Sequence, residues 1–375
     1  MSLQETLDML GMPKIRQWSS LISPKGIQLG IGQPLCPMPE QVRDDMVRSL
    51  SDSSMLYPPT QGLPALRDVA AQHSSRDIGR SVAREQVLIT NGAAEGIFLA
   101  LMCVCATGDR ILIPDPGYPA YRAIAEIIGL RVDTYQLDAE RGWDAADSFH
   151  VPWDTRAVVI NAPSNPTGMM LSDMMAKVIA AKTTKAGAYV LCDDSYLGLY
   201  LHGKREQSVA RFFDPDRTIV ISSVSKPYAM MGMRVGWTVA SELLTARMAA
   251  YHGTTMSCVN LPGQYAAISA LTHDPDDVRE RLRMFRIEAM RYLHSIEGLH
   301  CTIPHHGLFL YVDVGRYGDA EHFARRLARE YDVAVVPGTV FGTTTPTRIR
   351  VSFGAGSAAL AEGFGRMKAM CGCYV

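Results

Sequence analysis

The sequence predicts an α/β fold, a mostly parallel central sheet flanked by helices, with a smaller α+β domain. Three observations lead to this prediction. A chain of 375 residues is longer than one small core requires. From Val87 onward, short β-branched runs alternate with helical patterns, which is typical of a sheet covered by helices on both faces. In the C-terminal third the alternation continues in a shorter group. We therefore expect a large domain at 46–275 and a small domain formed by 1–45 and 276–375.

The segment before Val87 has mixed patterns. Its only glycine-rich turn follows a short apolar run, but Leu35 occupies the place of the last glycine in a Gly-x-Gly-x-x-Gly fingerprint. A Rossmann dehydrogenase is therefore disfavoured. The predicted elements here are a short helix within 7–22, a strand within 27–34, and helices at 39–50 and 65–73 separated by a turn-rich link at 57–64.

The regular part of the chain contains apolar runs of strand length, most of them separated by helical stretches. Long helical stretches are predicted after Ser241 and at 275–297. The predicted strands are 87–90, 110–114, 131–137, 157–162, 188–193 and 218–222, followed in the small domain by 308–314, 333–336 and 348–353.

Composition excludes several classes of partner. The formal net charge is −1 and the pI about 6.8, so neither nucleic acid nor an anionic membrane is an expected partner. The longest apolar run, 97–106, is too short to span a bilayer, and the first residues lack a signal-peptide pattern. The eight cysteines are scattered without metal-site spacing. We expect a cytoplasmic protein with reduced thiols and no bound metal.

The most informative stretch runs from Ser222 to Trp237, after a buried strand. A lysine amine such as that of Lys226 can form a Schiff base with an aldehyde. The hydroxyl of Ser223 and the guanidinium of Arg234 can hold a phosphate. A lone Ser-x-Ser-Lys also occurs in surface turns, but here the glycines and arginine that follow make the match more specific. The stretch predicts an anchor for pyridoxal phosphate (PLP).

Other unusual residues follow other strands, where ligands of open α/β sheets bind. Gly92, Ala93 and Ala94 open a helix whose N-terminal amides can bind phosphate, although a simple helix start explains them equally well. Tyr118, between prolines, can stack on a flat ring or merely pack in a turn. Asn165 can donate to a phenolate oxygen, but Asn-Pro-Thr-Gly is also a common turn.

Two further strand ends carry charge. Asp193 and Asp194 end a buried strand, where an unpaired carboxylate would be costly. A carboxylate at a pyridine nitrogen keeps that nitrogen protonated. Tyr196 can hydrogen-bond to the O3′ oxygen of such a ring. Arg348 and Arg350 lie on one face of a C-terminal strand by its period of two, and one of them can bind an α-carboxylate.

From about Gly30 to Phe353 the order of these motifs resembles the class I/II aminotransferases of the fold-type I PLP-dependent enzymes, close to the prokaryotic aspartate-aminotransferase-like branch. The resemblance implies Lys226 as the Schiff-base lysine and Asp193, which lies three residues before Tyr196, as partner of the ring nitrogen. It implies a homodimer in which Tyr57 reaches the phosphate of the neighbouring subunit. The remaining implied contacts are Tyr118 on the ring, Asn165 and Tyr196 at O3′, Gly92, Ala93, Ala94, Ser223 and Arg234 at the phosphate, and Gly32, Asn165 and Arg350 at the substrate.

The chain departs from that family at positions that affect substrate choice. Ala94 stands where some aspartate-preferring members carry a lysine, and His306 stands where a small residue is usual. His305 and His306 line the pocket or belong to a turn. A second cation for a distal carboxylate is not evident, although Arg348 or Arg16 could serve. The amino donor, the acceptor and the pathway therefore stay open.

The predicted activity is PLP-dependent transfer of an amino group between an amino acid and a 2-oxo acid by a ping-pong mechanism. The alternative is another reaction on the same scaffold, namely that of a PLP-dependent lyase, decarboxylase or oxidase. A non-catalytic ligand-binding domain of the same fold is a further alternative. The presence of Lys226 and the lack of a DNA-binding extension make it the weaker one.

Overall fold

The computed structural model describes residues 13–51, 56–145, 148–203 and 205–373. Within these ranges the chain forms thirteen β-strands, which are arranged in three sheets. The strands are β1 (Ile27–Gln28), β2 (Val87–Thr90), β3 (Arg110–Asp115), β4 (Arg131–Asp138), β5 (Asp144–Ala145), β6 (Thr155–Asn161), β7 (Tyr189–Asp193), β8 (Thr218–Ser223), β9 (Gly236–Val239), β10 (Phe309–Asp313), β11 (Val333–Ala334), β12 (Val336–Pro337) and β13 (Arg348–Ser352).

The same ranges contain eleven α-helices. None of these described helices is long and apolar enough to pass through a bilayer. The helices are α1 (Lys14–Ser19), α2 (Glu40–Ser51), α3 (Pro64–Ile78), α4 (Ala93–Val104), α5 (Ala120–Ile128), α6 (Asp173–Ala186), α7 (Glu242–Thr255), α8 (Leu261–His273), α9 (Asp277–His294), α10 (Ala320–Tyr331) and α11 (Ser357–Gly372).

The largest sheet has eight strands in the order β2–β9–β8–β7–β6–β3–β4–β5. From β8 through β4 all neighbouring strands are parallel. Strand β9 runs antiparallel to both of its neighbours, and β5 runs antiparallel to β4. The prediction of a mostly parallel central sheet is confirmed.

Both faces of this sheet are covered. Along β6, Val158 and Ile160 belong to one buried apolar cluster, whereas Ala157 and Val159 belong to another. The alternation follows because successive side chains of a strand point to opposite faces. Helix α3 contributes to the first cluster and α4 to the second. The central strands, such as β6 and β7, are therefore buried on both sides, as expected for a parallel sheet, whereas β4 is partly exposed.

A second group of elements has its own core. Strands β10, β13 and β12 form an antiparallel sheet, and β1 pairs in parallel with β11. Leu282 of α9, Val351 of β13 and Phe364 of α11 lie in one buried cluster. Val42 of α2 belongs instead to a core cluster of the large sheet. The division into 46–275 and 1–45 with 276–375 stays a prediction.

Four details differ from the sequence-based expectation. Strand β9 was not expected, because it is only four residues long and begins with a glycine. The helical stretch after Ser241 is two helices, α7 and α8, separated at residues 256–260. The single strand expected at 333–336 is divided into β11 and β12, which pair with β1 and β13. Helix α1 begins at Lys14, and residues 7–12 of the predicted helix lie outside the described residues.

Replacement of Gly236 by alanine is expected to destabilise the fold. An added Cβ would lie 2.7 Å from the Ser222 carbonyl oxygen, 2.8 Å from the Gly92 carbonyl carbon and 2.9 Å from the Ala93 nitrogen. Because these are backbone atoms, we expect the free energy of unfolding to fall by about 1–3 kcal/mol, measured by urea denaturation. Gly232→Ala is the control, since a Cβ there meets nothing within 4 Å. Equal stability of the two variants would contradict this packing.

Candidate active site

Polar residues end four neighbouring strands at one edge of the large sheet. Strand β3 ends at Asp115, β6 at Asn161, β7 at Asp193 and β8 at Ser223. Because β3, β6, β7 and β8 are parallel neighbours, their carboxyl ends meet at the same edge. Ligands of open α/β sheets bind beyond this edge. The candidate site lies there.

Asp193 is the buried carboxylate of the site. Its Oδ2 accepts from the Tyr121 hydroxyl at 2.6 Å, and its Oδ1 accepts from the Ser195 amide at 3.0 Å and the Ser195 hydroxyl at 2.5 Å. Burial raises the pKa of Asp193, while these donors oppose the rise. The direction of the net shift means that the hydrogen bonds do not fully compensate for lost water. A cationic N–H ligand would supply that compensation.

Asp194, the adjacent acid, has a different environment. Its amide donates to the Ile221 carbonyl at 2.8 Å, and its side chain interacts with Ser208. Burial raises the pKa of Asp194 well above its usual value. The structure therefore separates the two acids, and only Asp193 shares hydrogen bonds with Tyr121.

Lys226 lies half-buried in the loop after β8. Its Nζ donates to the carbonyl oxygen of Gly32 at 2.5 Å. Burial, with the nearby charges of Arg350 and Arg234, lowers the pKa of Lys226 to about 8. An appreciable share of this amine is neutral near pH 8, the form in which an amine attacks a carbonyl or accepts a proton.

Arg350 is fully buried in β13 between two aromatic rings. Its Cζ lies 4.1 Å from the Phe309 ring centroid and 4.8 Å from that of Phe341. Its Nη1 donates to Asn165 Oδ1 at 2.8 Å and its Nη2 to the Gly30 carbonyl at 2.7 Å. Burial lowers the pKa of Arg350 to about 10. Among the described residues no atom accepts from Nε, so this guanidinium retains donor capacity for a carboxylate.

Asn165 links Arg350 to the strand ends. Its amide donates to Asn161 Oδ1 at 2.8 Å, and Asn161 Nδ2 donates to the Asp193 carbonyl at 2.9 Å. The Asn165 side chain also hydrogen-bonds to Tyr196, whose hydroxyl pKa is raised by burial. One continuous network therefore connects Arg350, Asn165 and the chain at Asp193.

The start of α4 forms a second part of the site. Gly92 has φ +80°, and no side chain caps the helix. A Cβ on Gly92 would lie 2.5 Å from Arg234 Nη2, and that nitrogen donates to the Asn91 carbonyl at 3.0 Å. Ser223 pairs with Gly236, which itself abuts Gly92 and Ala93. The uncapped helix amides, a hydroxyl-bearing residue and a guanidinium lie together, a combination suited to a phosphate.

Tyr118 lies beside Tyr121, the residue that donates to Asp193. Its ring meets the Tyr121 ring edge-on, with centroids 5.6 Å apart. Its hydroxyl pKa is raised by burial and then by the charge of Asp193, while Arg350, Arg234 and Arg16 lower it. Tyr118 therefore lies within electrostatic range of both the acid and the arginines of the site.

Several residues singled out from the sequence are not part of this network. Tyr57 is 89% exposed, and the side chain of Ala94 also faces solvent. Arg348 pairs with Asp313 at 3.3 Å and lies over the Trp143 ring, which leaves little of its charge for a substrate. His306 is buried, and burial lowers its pKa to about 4. His305 is exposed.

The sequence does not single out several groups of the site, among them Asn161, Ser195, Tyr121 and the backbone carbonyl of Gly30. Tyr121 donates to Asp193, and the carbonyl of Gly30 accepts from Arg350. Tyr121 lies three residues after Tyr118, just inside α5, and its amide donates to the Tyr118 carbonyl at 3.1 Å, so the close spacing of the two tyrosines is the signal in the sequence. A backbone carbonyl carries no sequence signal, so the role of Gly30 could not have been predicted.

The family model described as "Aminotransferase class I and II" matches residues 24–363 of the chain. The chain belongs to the class I and II aminotransferases. An aspartate aminotransferase from Pyrococcus horikoshii is 28% identical over 351 residues, covering 91% of this chain and 90% of the relative. A valine–pyruvate aminotransferase from Mycobacterium tuberculosis is 29% identical over the same number of residues, with the same two coverages.

The solved structures place this aminotransferase in fold-type I. An aspartate aminotransferase from Thermotoga maritima superposes with a TM-score of 0.87 at 26% identity, covering 99% of this chain and 97% of the other. The predicted family, fold class and enzyme class are confirmed, and the chain is a transferase of amino groups.

In protein without a bound aldehyde, the amine of Lys226 is expected to react with acetic anhydride at lower pH than an ordinary lysine. Only the neutral amine is nucleophilic, and the pKa of Lys226 is about 8. Labelling should therefore rise between roughly pH 7 and 9, whereas a model lysine titrates near pH ~10.4. Mass spectrometry measures labelling, with exposed Lys185 of α6 as the internal reference.

Removal of a neighbouring charge tests the cause of this shift. In Arg234→Met, one cation that disfavours the ammonium form is lost, so the labelling midpoint should move to higher pH. Labelling of wild-type Lys226 that begins only above pH ~10 would show an ordinary amine and contradict the lowered pKa.

Proposed function

We propose that this aminotransferase uses pyridoxal phosphate held covalently by Lys226, with Asp193 at the ring nitrogen. The proposal is supported by two site residues, a lysine and an aspartate, whose pKa values are shifted in opposite directions. Lys226 is a half-buried amine whose pKa is lowered to about 8, and Asp193 is a buried carboxylate whose raised pKa leaves it in need of a cationic N–H partner. A protonated pyridine bearing an aldehyde satisfies both groups.

The remaining proposed cofactor contacts are those that the family resemblance implies around these two residues. Tyr118 would stack on the ring, with Asn165 and Tyr196 at its phenolate oxygen. The group at the start of α4 fits a phosphate, because the helix has no side-chain cap and Arg234 lies over Gly92. That group comprises Gly92, Ala93, Ala94, Ser223 and Arg234.

When bound, PLP supplies an aldehyde for the amino group and a ring that accepts negative charge developing at the substrate Cα. The chain supplies orientation and proton transfer. Arg350 binds the α-carboxylate through N–H groups that include the unpartnered Nε, while Phe309 and Phe341 hold the guanidinium plane. Gly32, whose added Cβ would lie 2.4 Å from Phe309 Cζ, allows the Phe309 ring to pack directly against the backbone.

Lys226 also fits the role of base. Its Nζ would accept the proton from the substrate Cα, because an amine with a pKa of about 8 is largely unprotonated at mildly alkaline pH. The carbonyl of Gly32 accepts a hydrogen bond from Nζ and so limits where the freed amine can go. A second 2-oxo acid then reverses the sequence in a ping-pong cycle.

The relatives of this chain are named for different amino donors. Relatives of nearly equal identity are named for aspartate in one case and for valine and pyruvate in the other. Arg348 is engaged by Asp313, so it does not favour a dicarboxylic substrate. We propose a 2-amino acid bound by its α-carboxylate, with the side-chain preference to be measured.

We also propose a cytoplasmic homodimer in which Tyr57 reaches the phosphate of the neighbouring site. The 89% exposure of Tyr57 supports this, because so exposed a ring is available to a second subunit. The eight cysteines are all unpaired, which supports a reducing compartment.

The decisive experiment compares wild-type protein with Lys226→Ala after reconstitution with PLP. Wild type should bind PLP with a visible absorbance that an amino-acid panel depletes in a half-reaction, releasing the 2-oxo acid. A second 2-oxo acid should restore the absorbance. Lys226→Ala should lack both the covalent absorbance and the half-reaction. Retained turnover in Lys226→Ala would reject the assignment. Release of pyruvate and ammonia from one substrate would instead favour a lyase.

Arg350→Lys is expected to weaken substrate binding without removing the charge. An ammonium cannot reproduce the planar fork, so the KM for the amino donor should rise by roughly 10- to 100-fold in steady-state assays. Arg348→Lys is the matched control, since it lies two residues away on β13 and pairs with Asp313. Its KM should stay within about 3-fold of wild type. Equal KM changes in the two variants would count against Arg350 as the carboxylate ligand.

A further inference from the structure

A buried carboxylate outside the proposed substrate contacts joins two parts of the site. Asp115, the last residue of β3, is 2% exposed. Its Oδ2 accepts from Thr343 N and Thr343 Oγ1, both at 3.0 Å. Its Oδ1 accepts from Thr344 Oγ1 at 2.7 Å and Thr344 N at 3.4 Å. Two consecutive threonines thus supply two donors to each oxygen. We call Asp115, Thr343 and Thr344 the threonine clamp.

The backbone beside the threonine clamp is packed closely against Asp115. A Cβ added to Gly342 would lie 1.9 Å from Asp115 Oδ1, so only glycine fits at that position. The Gly117 amide donates to the Phe341 carbonyl at 2.8 Å. The loop after β3 and the segment before β13 are therefore joined by side-chain and backbone hydrogen bonds together.

Each side of the clamp leads to a different part of the site. The loop after β3 carries Tyr118 and then Tyr121, which donates to Asp193. The opposite segment carries Phe341, whose ring lies 4.8 Å from Arg350 Cζ. The clamp is thus the hydrogen-bonded link between the residues proposed for the cofactor ring and the arginine proposed for the substrate carboxylate.

We propose that Asp115 is a positioning residue that fixes the Phe341 segment, and with it Arg350, relative to the cofactor ring. The roles of ring and carboxylate groups in this statement rest on the proposed function. The clamp suits the task because hydrogen bonds to a buried carboxylate are strong and directional. Displacement of a binding group by about 1 Å can reduce rates by roughly 100-fold.

The clamp should affect substrate more than cofactor. The ring side keeps a second attachment, the Tyr121–Asp193 hydrogen bond, when the clamp is broken. The Phe341 segment loses the four donor contacts that Thr343 and Thr344 make to Asp115. Weakened substrate binding with retained cofactor affinity is therefore the signature of positioning, whereas a merely destabilised protein would lose both.

Three variants test this role. Asp115→Asn replaces one acceptor oxygen of the carboxylate by an NH2 group, which then faces the donors of a threonine. Thr344→Val removes one hydroxyl donor while keeping the side-chain shape. Thr344→Ser keeps that hydroxyl. Asp138→Asn is the matched control, because Asp138 ends the neighbouring parallel strand β4 and its side chain accepts from the amide of a nearby residue, Glu140, rather than from a distant segment. Measurements are the KM and kcat for the amino donor, PLP affinity of the cofactor-free protein by titration, and hydrogen exchange of residues 341–345.

We expect KM to rise by roughly 10- to 100-fold in Asp115→Asn and by about 10-fold in Thr344→Val. PLP affinity should stay within about 3-fold, and exchange at 341–345 should accelerate in the cofactor-free protein. Thr344→Ser and Asp138→Asn should match wild type.

Three results would overturn the proposal: an unchanged KM in Asp115→Asn, parallel losses of substrate and PLP affinity, or unchanged exchange at 341–345. If the wild-type protein shows no half-reaction with any amino acid, the proposed function is wrong, and the clamp proposal is not decided by that result. The exchange comparison in cofactor-free protein still tests the clamp in that case.

Discussion

The site depends on one constraint, the burial of the Asp193 carboxylate at the end of a central parallel strand. Water is excluded there, so the charged form must be stabilised by fixed donors. Tyr121 and Ser195 provide three of them, yet the pKa of Asp193 is still raised. The Asp193 carboxylate is therefore a hydrogen-bond acceptor that a cationic ligand would stabilise further. The neighbouring parts of the site, from Tyr118 to Asn165, are arranged around this carboxylate.

Burial lowers the pKa values of the basic groups, whereas it raises the pKa of Asp193. Half-buried Lys226 lies within electrostatic range of fully buried Arg350, and both pKa values are lowered, to about 8 and about 10. Two effects contribute to the shift of Lys226, namely desolvation and repulsion by neighbouring arginines. An acid and an amine with displaced pKa values beyond the ends of two neighbouring strands, β7 and β8, form a pattern that is common at functional sites.

Local patterns were sufficient to predict the parallel core and most residues of the candidate site. Buried strands such as β6 and β8 have continuous β-branched runs, and their ends carry unusual polar residues. Contacts between distant parts of the chain were not predictable. Tyr121 meets Asp193 and Asp115 meets Thr343 only after folding, and Arg348 is neutralised by Asp313 across a strand pair. Strand β9 was missed because its four residues gain their order from two neighbours.

The loop from Gly30 to Gly32 has a consequence for ligand recognition. Its carbonyl oxygens accept from Arg350 and from Lys226, which are the two cations that a bound acid and aldehyde would engage. These backbone oxygens offset the repulsion between two neighbouring cations inside the fold. A ligand that displaces either oxygen would have a net affinity that reflects the difference between two sets of contacts. Selectivity among small acids can arise from how well each competes with a backbone oxygen.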